Sequence, residues 1–295
     1  MNFKRNELLS SSNFDNNMYD YDCVTSGSLT KYSRHTPRGR LVTTSVIKMD
    51  KVSISFEENH VLSEISVDIK KGEIYVVIGP SGQGKSSFLK LIAGIYEPTS
   101  GGIKVGGVDW QTASQKEKSL VMQGMGMLFQ KNALFDSLSS AENIGFPLHE
   151  KTSLSKDEIS NKINYFLEEV GLAGIQELFP DEISGGMQKR LGIARALALD
   201  PSIVLYDDPT AGLDPITSRL IVDLILKIQK QSKATVVAVT NDMNRAFQMA
   251  DRVGMIVSGE LIEIGSREEA NDHPDQRVRQ FVRGELEGPL TVVAQ

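Results

Sequence analysis

The octapeptide GPSGQGKS, residues 79–86, constrains the fold of this 295-residue chain more than any other feature. It matches G-x-x-x-x-G-K-[ST], follows directly on the apolar run EIYVVI and leads into the helical stretch FLKLIAGI, which is the strand–loop–helix setting such a loop requires. Gly79, Gly82 and Gly84 let backbone N–H groups turn inward around phosphate oxygens, with Ser81 and Ser87 at the same turn. Lys85 adds a compact positive charge, the following helix contributes the positive end of its dipole, and the Ser86 hydroxyl is suited to Mg²⁺. A glycine-rich turn without a ligand would not need that setting.

The surrounding pattern predicts an α/β core. VSISF, EIYVVIG, IVLYDD, TVVAV and RVGMIV read as strands. Ile163, Phe166, Leu167 and Val170 fall at i, i+3, i+4 and i+7 of one helix, and Ile216, Leu220, Ile221, Leu224, Ile225 and Ile228 mark another. Strands alternating with helices imply right-handed crossovers and a largely parallel sheet. With 40% apolar residues the chain buries a real core, which excludes wholesale disorder. A net charge of −6 argues against a nucleic-acid footprint. The apolar runs are of strand length, so no membrane span is predicted, and the first residues carry no apolar run of a secretory signal. One cysteine, Cys23, excludes an internal disulfide and a multi-Cys metal site. Residues 1–43, rich in Ser, Asn, Asp and Tyr, read as a poorly ordered extension or a partner-docking arm. The main domain then spans residues 44–270, with a tail over 271–295.

A second chemical element lies 122 residues beyond Lys85, where IVLYDD ends in Asp207 and Asp208. A carboxylate at the tip of a buried strand, paired with a phosphate loop, reads as the Mg²⁺ half of a nucleotide site. Between the two stands ISGGMQKR, in which Ser184, Gly185 and Gly186 open a helix as another anion nest, with Gln188 one turn on. The co-occurrence of these three elements resembles the ABC ATPase family. The resemblance implies a P-loop ABC-type nucleotide-binding domain with a parallel core sheet, an N-terminal antiparallel β portion and a helical subdomain over about residues 131–184. It also implies ATP and Mg²⁺ as ligands, and a head-to-tail dimer in which residues 184–186 contact the γ-phosphate bound by the opposite copy. Phe56 looks like the aromatic that stacks on adenine, Gln130 in MLFQ like the γ-phosphate and Mg²⁺ sensor, and AGLDP through Asp214 like the dimer-contacting loop. From the residues alone, Phe56 reads equally well as a strand core aromatic.

The segment MGMLFQKNALFDSLSSAENIGFPL, Met187 in the signature and the ending RVRQFVRGELEGP resemble the ATPase subunits of Mla/Mce-type lipid transporters. That likeness implies an integral-membrane permease, an Mce-domain lipid-binding protein and a place at the cytoplasmic face of an inner membrane. Ala133, Leu134 and Phe135 would help form the groove for a permease helix, or pack the subdomain. Arg277, Arg279 and Arg283 would touch anionic lipid or a partner, or form a solvated face.

Two positions depart from the family. Asp208 stands where a Glu usually polarises the attacking water, and Asn241, in TND, stands where a His contacts the γ-phosphate. The carboxylate is retracted by one methylene, and an amide donates a hydrogen bond without ever carrying charge, so slow hydrolysis is expected. Two rivals follow: a nucleotide-gated regulatory subunit, and a non-transport ABC protein of translation or DNA repair. The second is disfavoured by a single cassette and by a separation of only 122 residues.

Overall fold

The computed structural model describes residues 44–292, all within the unit that spans residues 42–295; the expected N-terminal extension, 1–43, lies outside the described residues. In chain order the first half runs β1 (Ser45–Phe56), β2 (Asn59–Lys70), β3 (Ile74–Ile78), α1 (Lys85–Ile92), β4 (Ser100–Val105), β5 (Val108–Asp109), α2 (Gln115–Gln123) and β6 (Met125–Leu128). There follow α3 (Ser140–Lys151), α4 (Lys156–Glu169), a 3-10 turn (Pro180–Glu182), α5 (Gly185–Leu197), β7 (Ile203–Asp207) and α6 (Pro215–Ser232). The chain ends with β8 (Thr235–Val239), α7 (Met243–Met249), β9 (Arg252–Val257), β10 (Glu260–Glu263), α8 (Arg267–Asn271), α9 (Gln276–Arg283) and α10 (Pro289–Val292).

Two sheets result. The N-terminal one is antiparallel, in the order β2-β1-β4-β5. The larger one runs β10-β9-β3-β8-β7-β6, parallel throughout except for the β9–β10 hairpin at its edge. Its central strands are apolar on both faces because both faces are covered. Ile74, Val76 and Ile78 of β3 enter the core beneath α3–α6, whereas Tyr75 and Val77 face the core shared with α1 and the antiparallel sheet. β7 and β8 divide in the same way, Val204 and Val236 on one side, Leu205 and Val237 on the other.

The predicted strands are all present, with β1 beginning seven residues before VSISF. The two predicted helices are α4 and α6, but the buried stripe of α6 is narrower than its apolar pattern. Ile221, Val222 and Ile225 are buried, whereas Ile216 and Leu220 are 76% and 60% exposed. Residues 271–295 contribute α9, whose Val278 is fully buried. Its arginines are engaged locally: Arg277 with Asp275 and Glu260, Arg279 with the His273 and Pro274 carbonyls, Arg283 with the Asn271 carbonyl. Arg277 and Arg279 are half-buried by these contacts, and Arg283 is exposed. Among the described residues no helix is long and apolar enough to cross a membrane.

Candidate functional site

Ligands of open parallel sheets gather at the carboxyl ends of the strands. Four such ends converge here: β3 runs into the glycine loop, β6 into Gln130, β7 into Asp207 and Asp208, and β8 into Thr240 and Asn241. Together with Phe56 they line one cavity of about 470 Å³, which also includes Ser81, Gly82, Gly84, Lys85, Ser86 and Ser87.

The loop's shape depends on glycine at two points. Gly79, at φ +145°, passes so close to β9 that a Cβ would stand 2.1 Å from the Ile256 carbonyl oxygen. Gly84 caps α1 at φ +92°, where a Cβ would strike Val61 and Leu62. No side chain caps α1, and its first-turn residues Lys85, Ser86 and Ser87, whose amides have no acceptor within the helix, line the cavity. Lys85 is buried, and its Nζ donates to the carbonyls of Gly79 (2.8 Å) and Pro80 (2.7 Å). Burial pushes its ammonium pKa down, while Asp208 and Asp207 oppose that shift.

Opposite the loop, Ser86 Oγ donates to Asp207 Oδ1 at 3.0 Å, and Thr240 Oγ1 donates to Asp208 Oδ1 at 3.0 Å. Burial raises the pKa of both carboxyls, and the Ser86 and Thr240 hydroxyls with Lys189 pull them back. Asp208 sits at φ +47°, its amide bonded to the Val239 carbonyl at 2.8 Å, so its backbone is pinned to β8. Asn241 Nδ2 reaches Ser81 Oγ at 3.3 Å, across the cavity mouth. Phe56 is 43% exposed, edge-on to Tyr96 at 5.2 Å, so its ring lies outside the core. The hydroxyl, carboxylate and amide oxygens of Ser86, Asp207 and Gln130 are the hard donors that suit Mg²⁺ beside phosphates.

The signature residues lie elsewhere. Ser184, Gly185, Gly186 and Gln188 do not line the cavity. The Ser184 hydroxyl accepts from the Met187 amide at 3.3 Å and caps α5, and Gln188 Nε2 donates to the Pro180 carbonyl at 2.7 Å. Asp214 caps α6, accepting from Ile216 and Thr217.

Three residues escaped the sequence reading as site residues. Thr240 could have been found from its place at the end of TVVAV. Lys189 is buried on α5, four residues before the buried Ile193, and a lysine on a buried face is itself a signal. Asn143 of α3 gave no such signal, because apart from a long bond from Arg195 (3.4 Å) its partners are backbone atoms. Its Nδ2 donates to the carbonyls of Phe135, Leu138 and Ser139, and its Oδ1 accepts from the Phe135 amide, fixing the loop after Gln130. Asn143→Ala is expected to cost roughly 3 kcal/mol, since several buried backbone groups lose their partner at once. A urea denaturation midpoint checks this.

A family profile described as ABC transporter matches residues 62–211. The probable ribonucleotide transport ATP-binding protein mkl of Mycobacterium leprae (strain TN) is 40% identical over 252 residues, 85% of this chain and 73% of that protein. The intermembrane phospholipid transport system ATP-binding protein MlaF of Haemophilus influenzae is 36% identical over 246 residues, 83% of this chain and 93% of that protein. Among solved structures, the dimeric post-hydrolysis state of the ATP-binding cassette MJ0796 bound to ADP and Pi has a TM-score of 0.67 at 31% identity, covering 73% of this chain and 96% of that one. With phosphate loop, strand-end carboxylates and signature helix in place, the chain belongs to the ABC transporter family, as an ATP-hydrolysing cassette.

Proposed function

We propose that this chain powers phospholipid transport between membranes, as a peripheral subunit on the cytoplasmic face of an inner membrane, bound to an integral-membrane permease and an Mce-domain protein. The observation that carries the reading is a division of the site. One cavity gathers Phe56, the glycine loop, Gln130, Asp207, Asp208 and Asn241, while Ser184, Gly185 and Gly186 lie outside it. A second copy, placed head to tail, supplies those three residues. The Mla-like segment after Gln130 and the MlaF relatives support the lipid substrate. Phe135, 40% exposed and packed at a tilt against Phe146 with ring centroids 4.8 Å apart, offers an apolar face to a permease helix.

In the reaction, the adenine stacks on Phe56, and the loop amides with Lys85 hold the phosphates. Ser86, Asp207 and Gln130 would hold Mg²⁺, which supplies charge neutralisation on the phosphates. Asp208 orients the attacking water in line with the γ-phosphate, and Asn241 donates to that phosphate. Water's oxygen bonds to phosphorus as the bond to the β,γ-bridging oxygen breaks, giving ADP and inorganic phosphate.

The test is ATP turnover by the purified chain with and without its co-expressed membrane partners, with Lys85→Ala as the blank. Turnover is expected to rise with a polytopic partner and to vanish in the blank. Tight ATP binding without turnover in either state would overturn the motor and leave a nucleotide-gated regulatory subunit. Because the mycobacterial relative carries a ribonucleotide-transport name, transfer of labelled phospholipid and of labelled nucleotide are compared in reconstituted vesicles. Nucleotide transfer alone would overturn the lipid reading.

A further inference from the structure

We infer that Lys189 is a positioning residue for ATP hydrolysis, a buried cation through which the signature helix fixes the backbone at both Gln130 and Asp208. The inference rests on the proposed roles of those two residues. Lys189 is only 3% exposed, yet it lies on α5, five residues after Ser184, and not on any strand that ends at the cavity. Its Nζ donates to the Gln130 carbonyl at 2.8 Å and to the Asp208 carbonyl at 3.4 Å. A single ammonium thus ties three elements at one point: α5, the end of β6 and the end of β7.

Burying a lysine among carbonyls is costly unless charge and donors are answered. Here two carbonyl dipoles answer the donors, and the neighbouring Asp207 and Asp208 carboxylates answer the charge. An apolar side chain of the same length would fill the volume at lower desolvation cost, so packing alone does not account for a lysine here. What the ammonium adds is direction. Asp208 sits in the left-handed region at φ +47°, and a donor on its carbonyl resists rotation of that peptide and so sets where the carboxylate points. The same Nζ holds the Gln130 peptide, so the two side chains facing the γ-phosphate share one anchor. Losing it should loosen geometry rather than binding, because its hydrogen bonds go to the Gln130 and Asp208 carbonyls and not to the glycine loop, Lys85 or Ser86. A displacement of about 1 Å in a catalytic constellation costs roughly 10²-fold in rate.

The test compares Lys189→Met, Lys189→Gln and Lys189→Arg with the parent in full-length, partner-bound form, reading kcat, KM, ATP affinity and thermal unfolding. The expected result is that Lys189→Met folds, binds ATP within about threefold of the parent and loses roughly 10- to 100-fold in kcat. Lys189→Arg, which keeps the charge, should recover part of that loss, and Lys189→Gln should recover less. Turnover of Lys189→Met within twofold of the parent overturns the inference. So does a fall in ATP affinity that matches the fall in turnover, or loss of cooperative unfolding in both Met and Gln variants, since either marks a purely structural tie. A parent without turnover that Lys85→Ala removes would refute the hydrolytic roles themselves, and is read separately from these outcomes.

Discussion

Lys85→Ala is expected to abolish measurable ATP turnover, a loss of at least roughly 10²- to 10³-fold by comparison with removal of one preorganised donor from other active sites. Lys85 is already in place before nucleotide arrives: its Nζ rests on the Gly79 and Pro80 carbonyls, at the wall of the cavity that also holds Asp207 and Asp208. Without it two carboxylates face the polyphosphate with no fixed cation on the loop between them, and attraction turns toward repulsion. Arginine should not rescue, because two carbonyls 2.8 and 2.7 Å from Nζ frame a compact ammonium and not a planar fork. Folding should survive, since the two lost hydrogen bonds are worth about 2 kcal/mol together and both freed carbonyls lie at the open glycine loop. Thermal unfolding with and without Mg²⁺–ATP separates the two effects. The parent gains about 2.7 kcal/mol at a ligand concentration 100 times Kd, and the variant gains almost none. A variant that keeps both its ATP-induced shift and its turnover would remove Lys85 from the phosphate site.

The parts of this site that were legible in the sequence are those where residue type and backbone task coincide. Gly79 and Gly84 are required by close backbone approach and positive φ, and an octapeptide with that requirement is rare by chance. Asp207 was legible as a charge ending an apolar run. The alternation of β3 was not, because a strand covered on both faces is apolar throughout and shows no period. Phe56 could not be assigned from the sequence, since core and platform aromatics look alike; its exposure beside the cavity now favours the platform. Lys189, Asn143 and Thr240 act on atoms 59, up to 8 and 32 residues away; a lysine on a buried helix face and a threonine at a strand end mark two of the positions, but two of the three act on backbone carbonyls that every residue carries, so no residue pattern names what they hold. On α6 the periodicity overstated the buried face, because Ile216 and Leu220 satisfy helical spacing while standing in solvent.

The double variant Asp208→Glu, Asn241→His is expected to hydrolyse ATP faster than the parent, by up to roughly 10²-fold, the factor attached to about 1 Å of misplacement in a reacting constellation. Three bonds fix Asp208 at the cavity wall. Its amide is tied to Val239 at 2.8 Å, its carbonyl to Lys189 at 3.4 Å, and its Oδ1 accepts from Thr240 at 3.0 Å. With the backbone fixed this way, one added methylene carries the carboxylate forward instead of being absorbed by a shift of the chain. The second change replaces an amide, now donating to Ser81 Oγ at 3.3 Å, with an imidazole that can carry charge toward the γ-phosphate. The stability cost should be modest, about 1 kcal/mol, from a glutamate in the left-handed region and a Thr240 hydroxyl that loses its acceptor. Because both side chains act on one phosphate and one water, the single variants should not add: Asp208→Glu alone carries most of the gain, and the cycle shows a coupling. The KM for ATP should stay within a few-fold, as Lys85, Phe56 and the loop glycines are unchanged and Ser81 loses only one long bond from Asn241. A basal rate equal to that of the parent would mean that the short carboxylate already reaches the water, and that slow turnover is not built into these two positions.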